Sequence, residues 1–427
     1  MYSRTTIERT QHGVGQGGFH TCRIRRGGPY NRQDYQKKTT YEYVFDCGTR
    51  SVGPGNTALK DFLSHHIENY KPANNIVDAL FISHLDIDHY NGAQMLCGAK
   101  SVSRIFLPYF TVDQIVFLIA DQASNDLVLA PDYINNLLAI ATGARRLFGV
   151  PVTLVGGDQA PENLDPPPPA QERDERFQPV VIREDGQAQP LSGNLPSGTD
   201  IALRSSLEQL PWVLRPWSYK QSSAALLAMS RAIDKIPALK GIQTHAGSVS
   251  KAHIDALNEK ANKTAIRKAC RTIIKDAKGT YASNHNTPSL SLYSGPPGHD
   301  RSDYRFRYIE RGVINRALNR DPVGWITTGD CLMNNHWADF RACFADVLTH
   351  VGTYVLPHHG SVHNHSQDFI DAIPGQLALI CARHGSEDHP SKTVLNCLYE
   401  VDDHIQIVNE YSTRGVKEIV SFHHLDD

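Results

Sequence analysis

The segment from Ser83 to Gly92 limits what this chain can fold into more than any other part of the sequence, and it reads Ser-His-Leu-Asp-Ile-Asp-His-Tyr-Asn-Gly. An apolar segment, Ala79 to Ser83, leads into it and predicts a buried strand. Helical periodicity from Asn56 to Lys71 precedes that strand, and Gly92 eases the turn into a following helix. The segment is therefore predicted to be a strand-to-helix loop, a common place for functional residues in layered folds.

The polar side chains of this loop are of metal-ligating type. They are His84, Asp86, Asp88 and His89. Imidazole nitrogens and carboxylate oxygens bind divalent ions at about 2.0 to 2.2 Å. Alternate residues of an extended segment point the same way, so the first three can line one side while the fourth turns inward as the loop bends. One local run can thereby serve two adjacent ions.

Three later elements place further candidate ligands at predicted strand ends. Gly329-Asp330 follows the apolar segment Trp325 to Thr328, and His358-His359-Gly360-Ser361 follows Thr353 to Leu356. His389-Pro390 comes after a third such segment, Leu377 to Cys381. Strand ends converge in layered folds, so these elements are expected to meet the first loop.

The order of these motifs resembles the metallo-β-lactamase superfamily, and the version Ser-His-x-Asp-x-Asp-His is similar to the hydrolase domain of the competence protein ComEC. Val14-Gly15-Gln16-Gly17 and Phe45-Asp46-Cys47-Gly48 also match, and the resemblance covers roughly residues 10–110 and 285–415. It implies an α/β fold, the αββα four-layer sandwich, here with a helical, basic insertion. It also implies two divalent ions, zinc or manganese with magnesium as a further option.

By this resemblance each candidate ligand receives a role. His84 and Asp86 would serve one ion, Asp88 and His89 the other, and Asp330 would bridge. Either His358 or His359 would complete the second ion; we assign His358 to the metal set. Catalysis is assigned to Asp88, His359 and His389, since the two histidines could contact a substrate phosphate or donate a proton to the leaving oxygen.

The chain departs from the family pattern at three places. ComEC-type domains usually read Asp-Val-Gly-Gln-Gly-Asp near their start, whereas both acidic positions are glycine here, Gly13 and Gly18. Pro108 and Tyr109 stand near the place where many relatives carry a further histidine.

Composition shifts divide the chain into three predicted parts. Residues 1–160 and 283–427 would form the two halves of one hydrolase domain, and residues 161–282 a linker followed by a mainly helical insertion. Pro and Gly enrichment from Asp165 to Gly198 predicts an exposed loop. From Arg231 to Lys278 there are 11 Lys or Arg against 4 Asp or Glu, a charge that could neutralise a phosphate backbone.

Bulk properties favour an ordinary globular protein of the cytoplasm. The formal net charge is −2 and the chain is 40% hydrophobic, which identifies no partner by itself. No segment approaches the roughly 18 apolar residues of a membrane span, and eight scattered cysteines without a CxxC pair are typical of free thiols in a reducing compartment. We therefore expect no membrane association.

These features favour a phosphodiesterase or nuclease that uses two metals and a metal-bound hydroxide, with a nucleic acid or nucleotide substrate. Asp86 stands where many relatives have histidine, and a harder, more anionic site suits manganese or magnesium and phosphoester chemistry. Two alternatives remain: hydrolysis of an ester, lactone or thioester by the same fold, and a binding or regulatory module that has lost its chemistry.

Overall fold

The computed structural model describes residues 2–27, 39–51, 59–122, 131–141, 145–156, 176–182, 187–191, 193–205, 209–220, 223–242, 251–276, 288–298, 305–310, 318–319, 322–373, 377–401, 404–412 and 415–425. Within these ranges the protein is mixed α/β, with two large sheets and 11 α-helices.

The first sheet has 11 strands and draws them from both ends of the chain. In spatial order they are β12 (Asn194–Leu195), β9 (Val150–Val155), β7 (Ile105–Pro108), β5 (Ala79–Phe81), β3 (Thr39–Thr49), β2 (Gly17–Gly27), β1 (Tyr2–Gln11), β22 (Val416–Leu425), β16 (Arg305–Glu310) and β17 (Leu318–Asn319), with β8 (Arg146–Leu147) paired to β9. Strands β3, β5, β7, β9 and β12 are parallel. Antiparallel pairing of β22 with β1 brings the C-terminal strand into the N-terminal sheet.

The second sheet has nine strands. In spatial order they are β11 (Ala188–Pro190), β10 (Gln178–Ile182), β13 (Ile201–Arg204), β14 (Gln209–Ser218), β15 (Leu290–Gly295), β18 (Gly324–Thr327), β19 (Val351–Val355), β20 (Leu377–Cys381) and β21 (His404–Val408). The run from β18 to β21 is parallel, so these strands end at the same edge. A separate short pair joins β4 (Ile76–Val77) to β6 (Ser101–Val102).

The helices flank the sheets. They are α1 (Leu59–Asn69), α2 (Ile87–Tyr90), α3 (Ala93–Ala99), α4 (Val112–Gln122), α5 (Pro131–Ala141), α6 (Ser223–Ile233), α7 (Lys251–Asn258), α8 (Lys260–Asp276), α9 (Met333–Phe344), α10 (Gln367–Asp371) and α11 (Lys392–Glu400). In the described part of the chain, no helix combines the length and apolar character needed to cross a membrane.

Apolar side chains pack the two sheets against each other. Tyr43 and Phe81 of the first sheet share a buried cluster with Trp212, Leu292 and Trp325 of the second. The opposite face of the first sheet packs on α1, α3 to α8, and that of the second on α9 to α11. Full burial of a large apolar side chain contributes about 1.5 to 3 kcal/mol, so these three clusters hold the strand ends in fixed positions.

Most strands predicted around the motifs are confirmed. The segment Leu377 to Cys381 forms β20 over the predicted residues, and the predicted helix before the first motif is confirmed from Leu59 to Asn69. The later part of the predicted helical insertion contains α6, α7 and α8.

The middle of the chain differs from its prediction. Residues 178–218 were expected to be loop and mainly helical insertion, but the described residues of this stretch contain β10 to β14. Most of these strands are short, and their partners lie far away: β14 pairs with β15, which begins at Leu290. Local periodicity does not detect such pairing. The proline run from Pro166 to Pro169 lies outside the described residues, and the domain boundaries stay a prediction.

A buried histidine between the sheets makes stability depend on pH. His20 is 3% exposed and stacks on Trp325 with ring centroids 4.1 Å apart. Burial, and then the charge of Arg9, lower the pKa of His20 well below 6.5. The folded state therefore holds this ring neutral, and its contribution to stability is complete above pH 6.5 and declines as the pH falls below that value.

Urea unfolding at pH 7 and pH 5 measures this effect. A His20→Phe variant retains the stacked ring but cannot bind the proton, so its free energy of unfolding should fall less between the two pH values than that of the wild-type protein, by about 2 kcal/mol. Identical losses in the two proteins would show that His20 is not the titrating group.

Candidate metal centre

The ends of parallel strands from the two sheets meet at one edge of the molecule. The loop carrying His84 follows β5, Asp330 follows β18, and His359 follows β19. The backbone N–H of Leu290 donates to the carbonyl of Ser83 at 2.6 Å, which joins the two sheets at this edge. Residues more than 240 positions apart in sequence are thereby brought together.

Asp330 lies between two groups of histidines. Its Oδ2 is 3.5 Å from His84 Nε2 and 3.6 Å from His358 Nε2. Its Oδ1 is 3.5 Å from His89 Nε2. Asp86 joins the first group, with its Oδ2 3.6 Å from His84 Nε2. The two carboxylate oxygens of Asp330 thus face two different sets of nitrogen atoms.

The second group forms around Asp88. Its Oδ2 is 3.3 Å from His359 Nε2, and these two residues with His89 bring their ligand atoms within 4.8 Å of one another. His84, His89 and Asp330 form a like cluster by the same measure. Every residue in the two clusters is buried. Either cluster could hold a divalent ion.

The spacing of these atoms fits a metal better than hydrogen bonding. Two ligands about 2.0 to 2.2 Å from one ion at a tetrahedral angle lie about 3.3 to 3.6 Å apart, and the five separations above span that same range. Among the described residues, the Nε2 atoms of His84, His89 and His359 are buried and find no hydrogen-bond partner. Buried polar atoms rarely lack partners. The donor set therefore fits a bound cation.

Asp46, in strand β3, orients the first loop from behind. Its carboxylate accepts from the backbone N–H of Ser83 at 2.6 Å and from the Ser83 hydroxyl at 2.8 Å. Its Oδ2 is 2.7 Å from His89 Nδ1. An ionised carboxylate only accepts hydrogen bonds, so His89 donates through Nδ1 and turns its Nε2 toward Asp330.

A glycine in the same strand lets the loop come this close. A Cβ on Gly48 would lie 2.6 Å from the backbone carbon of Asp88 and 2.7 Å from that of His89. Any larger residue would displace the ligands. The glycine of Asp46-Cys47-Gly48 thus has a physical role in this chain.

The two histidines after β19 are held in an unusual backbone conformation. His358 has φ 46° and His359 has φ 56°, both in the left-handed region that costs a non-glycine residue energy. The Nδ1 of His359 donates to the carbonyl of Cys381 at 2.7 Å, and the Nδ1 of His358 is 2.9 Å from Asn364 Oδ1. Both rings are thereby fixed with Nε2 toward the carboxylates.

The electrostatics of the cluster favour positive charge. Burial alone lowers the pKa of His89, but the carboxylates of Asp330 and Asp46 outweigh it and raise that pKa to about 10. Burial raises the pKa of Asp330, but His358 and His84 outweigh it and hold that pKa well below its usual range. The buried carboxylates therefore attract a cation, whether a proton on a histidine or a metal ion.

One arginine reaches the cluster from the surface. Arg50 Nε is 3.2 Å from Asp88 Oδ1, and its Nη2 is 3.9 Å from Asp86 Oδ2, while 45% of its side chain stays exposed. Arg50 therefore places a positive charge at the solvent-facing rim of the site.

All eight residues predicted from the sequence converge here, although their roles stay predictions. His389 lies at the outer side, with its ring centroid 5.6 Å from that of His358 and 6.2 Å from that of His359. The sequence reasoning did not assign a role to Asp46 or Arg50. Asp46 follows the apolar residues Tyr43 to Phe45, so the strand-end rule could have included it. Arg50 carried no comparable signal.

No protein-family model matches the chain, and no curated protein matches it. One similar solved structure is the crystal structure of MEM-A1, a subclass B3 metallo-β-lactamase isolated from a soil metagenome library. The two chains are 15% identical. The match covers 63% of this chain and 92% of the other, with a TM-score of 0.15. A likeness at that score establishes neither a shared fold nor a shared activity.

Proposed function

We propose that this chain is a metal-dependent hydrolase of the metallo-β-lactamase fold, with its helices and sheets as an αββα four-layer sandwich, and that it cleaves phosphodiesters. The observation that carries this proposal is the set of ligand-atom separations of 3.3 to 3.6 Å around Asp330 and Asp88. They suit two adjacent ions that share Asp330. His84, Asp86 and His358 would hold one ion, and Asp88, His89 and His359 the other.

The residues of the chain have distinct tasks in this scheme. When bound, divalent ions supply Lewis acidity toward a phosphoryl oxygen and lower the pKa of a coordinated water. Asp46 holds the ligand His89 in place, and the carbonyl of Cys381 does the same for His359. His389 stands outside the ligand set, where it can contact the phosphate or donate a proton to the leaving oxygen.

Three features favour a phosphodiester over an uncharged substrate. Asp86 adds a carboxylate to the first ligand group, which suits manganese and magnesium as well as zinc. Arg50 presents an exposed guanidinium at the rim, suited to phosphate oxygens. The lysines Lys251, Lys260 and Lys268 on α7 and α8 are exposed. These positive charges of the predicted basic region are therefore available to a phosphate backbone.

A screen of the full-length protein tests the activity. Zinc, manganese and magnesium would each be supplied with single-stranded DNA, duplex DNA, RNA and cyclic nucleotides. We expect metal-stimulated cleavage of at least one of these substrates and its loss when a chelator is added. Folded, metal-loaded protein that cleaves none of them, or cleavage that persists in the chelator, would contradict the proposal.

A second candidate is the hydrolysis of an ester, lactone or thioester by the same centre. A pocket beside the ligands reaches between the sheets and is lined in part by Phe45, Trp325 and Val355, and such apolar walls suit an acyl group. A lactone and thioester panel run beside the nuclease assay separates the two: the phosphodiester proposal expects the larger kcat/KM on a phosphodiester.

A further inference from the structure

We infer that a surface ledge beside the candidate metal centre is a subsite for one nucleotide of a single-stranded nucleic acid. The ledge comprises Arg50, His384 and Tyr411, and it rests on the proposed function because it would position a strand against that centre. Arg50 would contact a phosphate and Tyr411 would stack on the base.

The Arg50 end of the ledge touches the reaction site. Its Nε contacts Asp88 at 3.2 Å, which leaves the exposed part of the guanidinium directed to the surroundings. Its backbone N–H donates to the carbonyl of Gln16 at 2.9 Å, and the N–H of Gln16 donates to the hydroxyl of Ser51 at 2.9 Å. Arg50 therefore lies in a turn that hydrogen bonds hold in place.

The turn that carries Arg50 lies against the segment that precedes Tyr411. Gly15, beside Gln16, has φ 72°, and a Cβ there would lie 2.7 Å from Glu410 Oε2. That oxygen accepts from the backbone N–H of His384 at 3.0 Å. Glu410 is 7% exposed, so it acts as a buried support beneath the surface residues. The turn at Gly15 and the loop that carries His384 are thus linked through Glu410.

Tyr411 presents an aromatic ring at the other end. It is 56% exposed, and its ring centroid is 4.9 Å from that of His384 in an edge-on arrangement at 72°. Its backbone N–H donates to Asn409 Oδ1 at 3.0 Å, within a turn closed by the N–H of Ser412 on the carbonyl of Asn409 at 2.9 Å. The backbone of Tyr411 is therefore held in a bonded turn, while more than half of its side chain stays exposed.

This combination suits a nucleotide in particular. Single-stranded nucleic acids are held by cations along the backbone and by aromatic rings on which bases stack, and each stacked base contributes about 1 to 3 kcal/mol. The guanidinium of Arg50 and the exposed ring of Tyr411 provide one of each. Stacking requires an unpaired base, so the subsite favours single strands over duplexes.

The test measures binding of a fluorescein-labelled, nuclease-resistant phosphorothioate oligothymidine of about twelve nucleotides to full-length, metal-loaded protein by anisotropy. Tyr411→Ala should weaken binding about tenfold, whereas Tyr411→Phe retains the ring and should stay within about twofold of the wild-type protein. Tyr399→Ala is the matched control, because Tyr399 is 68% exposed on α11 and lies outside the ledge.

Each outcome has one meaning. Wild-type affinity in Tyr411→Ala, an equal loss in Tyr399→Ala, or no binding by the wild-type protein would overturn the subsite. Tyr411-dependent binding without cleavage of any phosphodiester supports the subsite and contradicts the proposed function instead. Where cleavage is found, Tyr411→Ala should raise KM with little change in kcat.

Discussion

An Asp330→Asn variant is expected to lose at least about a thousandfold in kcat/KM for metal-stimulated phosphodiester cleavage, equivalent to about 4 kcal/mol of transition-state stabilisation. Asp330 is the residue whose two oxygens face both histidine groups, at 3.5 Å from His84 and 3.5 Å from His89. An amide offers one weaker acceptor and a donor in place of the second, so the variant cannot bridge two ions. Its bound metal should fall together with its activity.

The control for this variant is Asp346→Asn. Asp346 is also paired with a cation, Arg215, at 2.6 Å, but it precedes β19 and so lies at the opposite edge of the second sheet. We expect wild-type kcat/KM in the control. Full activity in Asp330→Asn, measured with the substrate found by the screen, would remove the bridging role.

An Asp46→Asn variant is expected to bind metal about 10- to 100-fold more weakly, the loss typical when the hydrogen-bond partner of a metal ligand is changed. Asp46 accepts from Ser83 twice and from His89 once. Asparagine has nearly the same shape, but its NH2 group cannot accept from His89 or from the Ser83 hydroxyl. The His89 ring then loses its fixed tautomer and orientation.

Competition with a chromophoric chelator measures that affinity for zinc and manganese separately. Both should weaken, because the change acts on the ligand and not on the choice of metal. A variant that unfolds is recognised by its circular dichroism, and Ser83→Ala then offers a milder test, since it removes the hydroxyl and keeps the carboxylate. Unchanged affinity in folded Asp46→Asn would contradict the positioning role.

The sequence predicted the convergence of the site but not which of His358 and His359 would face which carboxylate. Candidate ligands at strand ends were recognisable because apolar segments preceded them, and the structure brings His84 and Asp330 together as expected. The different positions of the His358 and His359 rings depend on two left-handed backbone conformations and on the distant carbonyl of Cys381. Local periodicity holds no information about either.

The strands of the middle segment were missed for a related reason. β10, from Gln178 to Ile182, is a half-buried strand whose hydrogen bonds go to β11 and β13. Its flanks are rich in glycine and proline, which predict loop. The pairing of the sheet, and not the propensity of these residues, decides their structure.

The most direct measurement is the metal content of full-length protein that has been loaded with zinc or manganese and freed of excess ion, determined by elemental analysis beside a circular dichroism spectrum. Two ligand groups with Asp330 between them predict about two ions per chain. Folded protein with almost no bound metal would contradict the proposed centre.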